Sequence, residues 1–264
     1  MAVAAKRAAA TRSNPAPILA VASGKGGVGK TWFSVSLACA FGRTGRRALL
    51  VDCDLGLANV DVQIGVRPQH DLSSVARGWL ELDQAVTPVL GGPGRAGGFD
   101  LLPGHSGSGA LASLKLEDVH RIARDVGALA PMYDRILLDL AAGVDANVMR
   151  FARAATRVIV VTTEEPPALT DAYAFLKVLR LAQPTAQPWI VVNMAETRAT
   201  GRRIYEQLAK AAESYLGQRP PLAGVVCRDS RVSDAIRAQT PLCHRHPQSQ
   251  AFDDILRIAE ALTA

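Results

Sequence analysis

Short, wholly apolar runs alternate along the chain with longer stretches in which apolar residues recur every three or four positions. Ile18–Ser23 is apolar throughout and runs into glycines, the form of a buried strand. Trp32–Arg43 sets Phe33, Leu37, Ala40 and Phe41 on one helical face, with Gly45 as a stop. Ala48–Val51 predicts the next strand, ending in an acidic turn. Residues 87–98 hold five glycines and two prolines, which predicts a loop before the short strand Phe99–Leu102. Leu116–Leu129 reads as a helix and Arg135–Leu138 as a strand ending at Asp139. Three strand–helix pairs follow: Arg157–Val161 with Leu169–Arg180, Trp189–Val192 with Thr200–Leu216, and Leu222–Val226 with Val232–Ala238. Phe252–Leu262 forms a closing helix.

This alternation predicts an α/β fold, a mostly parallel twisted sheet flanked by helices on both faces. No linker interrupts it, so residues 18–264 read as a single domain. Residues 1–17 are basic and rich in Ala and Pro, lack the apolar core of a secretion signal, and predict a disordered leader. With 48% hydrophobic and 20% charged residues, the 264-residue chain can bury a sizeable core. No apolar run approaches the ~18 residues of a membrane span. The four cysteines form no C-x-x-C pair, which argues against a metal or redox motif and fits buried thiols in a reducing cytoplasm. The net charge of +6 is spread along the chain and does not choose between nucleic acid, membrane and protein as partner.

The chemistry concentrates in Gly24-Lys25-Gly26-Gly27-Val28-Gly29-Lys30-Thr31, which fits G-x-x-x-x-G-K-[ST] between a strand and a helix. Such glycines let backbone N–H groups turn inward around phosphate oxygens, and the helix N-terminus adds its positive end. Lys30 would reach the β- and γ-phosphates of ATP, and the Thr31 hydroxyl would ligate Mg²⁺. Lys25 is more than a phosphate loop requires. It is either solvent-facing or placed to serve the nucleotide of a neighbouring subunit.

Two acidic strand ends follow. Val51-Asp52-Cys53-Asp54 projects two carboxylates from the carboxyl end of a strand, where α/β sheets bind ligands. Asp54 is the candidate for orienting the attacking water, and Asp52 for the shell around Mg²⁺ or Thr31. Ile136-Leu137-Leu138-Asp139 has the form of a Walker B strand, so Asp139 would bind Mg²⁺ through water and Gly143 would offer an N–H near the γ-phosphate. Val191-Val192-Asn193 ends a strand with an amide able to pair with adenine, or to form a turn.

Lys25-Gly-Gly-x-Gly-Lys-Thr resembles the signature of the MinD/ParA deviant-Walker ATPases. The resemblance implies that ATP sandwiches two subunits, with Lys25 crossing to the partner's phosphates and Asp54 as the second aspartate of switch I. It adds Trp32 to the nucleotide contacts, although the family has a smaller residue there. At switch II the family shows Asp-Thr-Gly-Ala-Gly or Asp-x-Pro-Ala-Gly, where this chain has Asp139-Leu140-Ala141-Ala142-Gly143.

Further stretches, Asp54–Val62, Asn147–Ala152, Val160–Thr163 and Thr170–Tyr173, resemble the FlhG (FleN) group within that family. That likeness spans roughly Ile18–Leu262 and implies a slow regulatory ATPase controlling flagellar number and placement. The implied partners are a second copy of the chain, an FlhF-type GTPase, flagellar C-ring components or a flagellar transcription activator. The implied setting is the cytoplasm or the inner face of the membrane. A membrane-binding C-terminal helix would need cations. The apolar stripe Phe252, Ile255, Leu256, Ala259 and Leu262 instead carries Asp253, Asp254, Arg257 and Glu260, which favours a helix docked on the core. The alternatives are a ParA-type DNA-positioning ATPase, with Arg43, Arg46 and Arg47 as candidate contacts, and a MinD-type division-site ATPase. An amide ligase or reductase on the same scaffold is a more distant third, and the cysteine spacing argues against the reductase.

Overall fold

The continuous apolar runs of the central strands are accounted for by the burial of both of their faces. The computed structural model describes residues 16–54, 56–104 and 116–263, so the leader expected over 1–17 lies outside the described residues except for Ala16 and Pro17. Among the described residues eight strands form one sheet: β1 (Ile18–Ser23), β2 (Ala48–Cys53), β3 (Thr87–Val89), β4 (Phe99–Leu102), β5 (Arg135–Ala142), β6 (Arg157–Thr162), β7 (Trp189–Ala195) and β8 (Leu222–Cys227). Their order is β3-β4-β2-β5-β1-β6-β7-β8. All neighbours are parallel except β3, which runs antiparallel to β4. The expected single α/β domain is therefore what forms.

Among the described residues ten α-helices cover the sheet: α1 (Lys30–Arg43), α2 (Val60–Ile64), α3 (Leu72–Ala76), α4 (Leu116–Ala128), α5 (Ala146–Ala154), α6 (Pro166–Ala182), α7 (Arg198–Leu216), α8 (Ser230–Arg237), α9 (Leu242–Arg245) and α10 (Gln250–Ala261). Successive strand residues point to opposite faces. Ala20, Leu49, Val51, Ile136 and Leu138 join Phe151, Phe175 and Leu208 in one core. Leu19, Val21, Leu50, Leu137 and Ile159 join Phe33, Phe41 and Phe252 in the other. Each fully buried phenylalanine contributes roughly 1.5–3 kcal/mol relative to exposure.

Two differences from the expected elements have simple causes. The glycine-rich stretch 87–98 was expected to be all loop, yet Thr87–Val89 pairs with Phe99–Leu101. Pro88 is tolerated because β3 lies at the sheet edge, where a missing N–H costs little. The helix Ala146–Ala154 was not expected, although Val148, Met149, Phe151 and Ala152 are buried at helical spacing and Asp145 caps its start.

The closing helix packs against α1 and β8, with Phe252, Ile255, Ala259 and Leu262 buried. Its apolar stripe thus faces the core and not a bilayer. No helix among the described residues is long and apolar enough to cross a membrane. Arg46 and Arg47 precede β2, at the end of the sheet opposite the glycine-rich loop that follows β1. Arg47 is moreover engaged by Asp134. All four cysteines are buried free thiols.

Candidate nucleotide site

The central strand β1 delivers the loop Gly24–Gly29 to the carboxyl edge of the sheet, beside the ends of β5 and β6. Gly29 ends the loop at φ 84° and ψ 25°, and no side chain caps α1 there. Helices α5, α7, α8 and α10 are capped by Asp145, Thr197, Asp229 and Ser249, whereas α1 and α6, which opens with Pro166 and Pro167, have no side-chain cap. The first-turn N–H groups of α1 are thus left for an external acceptor, and an anion suits them best.

The two predicted acidic positions meet across β2 and β5, where Asp52 and Asp139 are register partners. Asp139 is buried and accepts a hydrogen bond from Ser34 Oγ at 2.8 Å. Burial raises the Asp139 pKa, while the Lys30 charge and hydrogen bonding from Thr31 and Ser34 pull it back down. The buried carboxylate and the threonine hydroxyl are oxygen donors of the kind that a hard cation such as Mg²⁺ takes together with phosphate oxygens, and the Lys30 ammonium lies close enough to act on the carboxylate by its charge. Lys30, Thr31 and Asp139 are therefore brought together as expected. Ser34, one helical turn beyond Lys30, is an addition that its spacing could have revealed.

Asp52 is held by backbone hydrogen bonds that its strand-end position did not reveal. Its Oδ2 accepts the N–H groups of Asn59 and Val60 at 3.0 and 3.1 Å, and its Oδ1 accepts that of Asp54 at 3.1 Å. The carboxylate ties Asp54, Asn59 and the start of α2 to the end of β2, beside Asp139. Asp54 is turned onto its own loop, with Oδ1 accepting from Leu57 at 2.9 Å and Gly56 at 3.3 Å. Gly143 donates its N–H to the Ser23 carbonyl at 2.9 Å, which places the end of β5 against the start of the phosphate loop.

Lys25 points out of the loop. Its Nζ meets Glu165 Oε2 at 3.1 Å, with the two side chains 38% and 69% exposed. Nothing in the sequence marked Glu165 as its partner.

Beyond Gly29 lies a cavity of about 360 Å³ lined by Trp32, Asn193, Met194, Cys227, Arg228 and Ile236, among others. Its volume falls within the range of small-ligand pockets. Asn193 is buried and donates from Nδ2 to the Val28 carbonyl at 2.9 Å, so one amide hydrogen is committed to the phosphate loop itself. Trp32 forms part of the wall and is nearly buried. The corner between β8 and α8, which supplies Cys227, Arg228 and Asp229, carried no recognisable signal in the sequence.

A phosphate-type loop, a buried carboxylate beside its lysine and an adjoining base-sized cavity make one continuous site. A family model described as the CobQ/CobB/MinD/ParA nucleotide binding domain matches residues 19–242. The chain belongs to this family.

Among its relatives is the antiactivator FleN of Pseudomonas aeruginosa, 35% identical over 90% of this chain and 83% of that protein. The flagellum site-determining protein YlxH of Helicobacter pylori is 32% identical over 75% of this chain and 65% of its own length. The MinD/ParA fold is also seen in the septum site-determining protein MinD complexed with Mg-ADP from Pyrococcus horikoshii. It superposes with a TM-score of 0.77 at 24% identity, covering 94% of this chain and 96% of that one.

The acidic pair gives this MinD/ParA-family domain a pH signature. Burial, with the Asp139 charge adding to it, pushes the Asp52 carboxyl up to about 7 from its ordinary 3.8. A carboxyl with a raised pKa keeps a proton in the folded state that the unfolded chain has already lost. Folding stability must then fall as pH rises from about 4 to about 7. Asp52→Asn is expected to flatten this slope in the protein without nucleotide, read as Tm against pH in chelator-treated buffer. A slope identical to wild type would remove Asp52 from the account.

Proposed function

We propose that this protein is a Mg²⁺-dependent ATPase that works as a dimerisation switch, and that the switch regulates flagellar number and placement. The observation that carries the enzymatic part is the convergence of Lys30, Thr31 and Asp139 at the mouth of an uncapped helix, next to a base-sized cavity. In this reading the loop amides Gly24–Gly29 and Lys30 hold the phosphates, and Thr31 and Asp139 hold Mg²⁺. Trp32 and Asn193 border the base. Asp54 leaves its loop contacts to orient water, and Lys25 leaves Glu165 to neutralise charge on the partner's triphosphate. An exposed ion pair such as Lys25–Glu165 is worth only ~0–1 kcal/mol, so releasing Lys25 costs little.

Mg²⁺ would spread the charge that develops on the transferred phosphoryl group; the chain's own task is to place water and exclude misaligned attack. The flagellar assignment is supported by the FleN and YlxH relatives. It makes flagellar assembly proteins the partners to examine, namely an FlhF-type GTPase, C-ring components and a transcription activator.

Gel filtration with ATP and Mg²⁺ tests the switch. Asp54→Ala is expected to bind ATP, fail to hydrolyse it and accumulate as dimer, while wild type returns to monomer as ATP is consumed. Two proteins that both stay monomeric at high concentration would contradict the proposal.

A further inference from the structure

One wall of the base cavity is the corner between β8 and α8, residues 226–230. Its backbone is tied from two sides. On the sheet side, Arg228 donates its N–H to the Ala195 carbonyl at 2.8 Å. On the helix side, Asp254 of α10 accepts the Cys227 N–H on Oδ2 at 3.1 Å. The other oxygen of Asp254 accepts Arg198 Nε at 3.1 Å, Arg198 Nη2 at 2.7 Å and Arg257 Nη1 at 2.7 Å. A second tie runs the opposite way, from the Ala251 N–H to Asp229 Oδ2 at 3.4 Å. Three elements, β8, α7 and α10, therefore meet on a carboxylate that is only 2% exposed.

Burying a carboxylate is costly, and well-packed apolar side chains would hold these elements together at least as well. What apolar packing lacks is direction. The Asp254 bond fixes the Cys227 N–H, and with it the next two residues of the cavity wall. We propose that Asp254 is a positioning residue for base recognition, setting the Cys227–Asp229 corner at the width that receives adenine. It acts through the corner and does not itself touch nucleotide. The inference rests on the reading of this site as an ATP site and assigns the fidelity of its base end. Linkage follows: α10 and the base cavity share one anchor, so a displacement of the helix would weaken base binding and base binding would resist that displacement.

The test separates the base from the phosphates. Affinities for Mg²⁺·ATP, Mg²⁺·GTP and Mg²⁺·tripolyphosphate are measured for wild type and Asp254→Asn. The variant is expected to bind ATP ~10-fold more weakly, as loss of charge-assisted hydrogen bonds would produce, and to prefer ATP over GTP less. Tripolyphosphate affinity is expected to stay within about twofold, because Lys30 and the loop amides are untouched. A parallel loss for ATP and tripolyphosphate would reduce Asp254 to a general structural role. Unchanged ATP affinity in folded variant protein would also overturn the proposal. Should Asp254→Asn fail to fold, Arg198→Gln removes two of the bonds to the same carboxylate and is expected to show the same split at ~3-fold. Its absence there would be equally decisive. Wild type that binds none of the three ligands would overturn both this proposal and the ATP reading. Wild type that binds ATP while both variants match it would overturn this one alone.

Discussion

Lys25→Ala is expected to lower ATP turnover by ~10³-fold or more while leaving ATP affinity within about threefold of wild type. The side chain projects from the loop to an exposed partner, Glu165, and the loop's fold does not depend on it. Lys30 remains to grip the phosphates, so binding survives. A cation arriving from outside acts on the charge that develops during transfer, and a factor of ~10³ corresponds to ~4 kcal/mol of the barrier. Single-turnover hydrolysis and equilibrium binding measured on the same preparation separate the two quantities. Mixing Lys25→Ala with Asp54→Ala adds a second readout. If Lys25 acts across the dimer, each mixed dimer regains one intact site, and random pairing restores about a quarter of wild-type activity. If Lys25 acts within its own subunit, mixing restores nothing.

Gly29→Ala is expected to weaken ATP binding by at least ~100-fold, about 2.8 kcal/mol. Gly29 has φ +84°, where an L-residue costs roughly 1–2 kcal/mol. An added Cβ would also lie 2.4 Å from Asn193 Nδ2 and 3.1 Å from Met194 Cε. The bond from Asn193 to Val28 is in the way, so either the loop or the base wall must move. Both movements spoil the alignment of phosphate and base sites. Gly26→Ala is the control for folding, since a methyl group there meets nothing within 4 Å. Its Tm is expected to match wild type, whereas Gly29→Ala loses a few degrees, as a ~1 kcal/mol change gives in a domain of this size. Gly29→Ala with wild-type affinity would show that nucleotide does not use this loop.

The sheet was legible because its strands are buried on both faces, and continuous runs such as Ile18–Ser23 and Ile136–Leu138 have few other uses. The glycine loop was legible for a related reason, since a loop that must approach phosphate has little choice of residue. Roles that depend on tertiary approach were harder to read. The strand-end position of Asp52 marked it as a site residue but gave no sign that its oxygens accept three backbone N–H groups from Asp54, Asn59 and Val60. Asp254 looked like an exposed charge on an amphipathic helix and is instead buried under two arginines that lie 56 and 3 residues away. Glu165 gave no local sign of its contact with Lys25, 140 residues before it. The edge strand Thr87–Val89 was masked by its own proline and the glycines after it. For Glu165 and Asp254 the missing information is which distant segment arrives, and periodicity along the chain cannot carry it.

Isothermal titration of the folded wild-type protein with ATP, with and without Mg²⁺, tests the central claim most directly. The account predicts one nucleotide bound per chain, and binding that tightens when Mg²⁺ is present. Protein that is folded by circular dichroism yet releases no binding heat at any temperature, with either ATP or Mg²⁺·ATP, would contradict it.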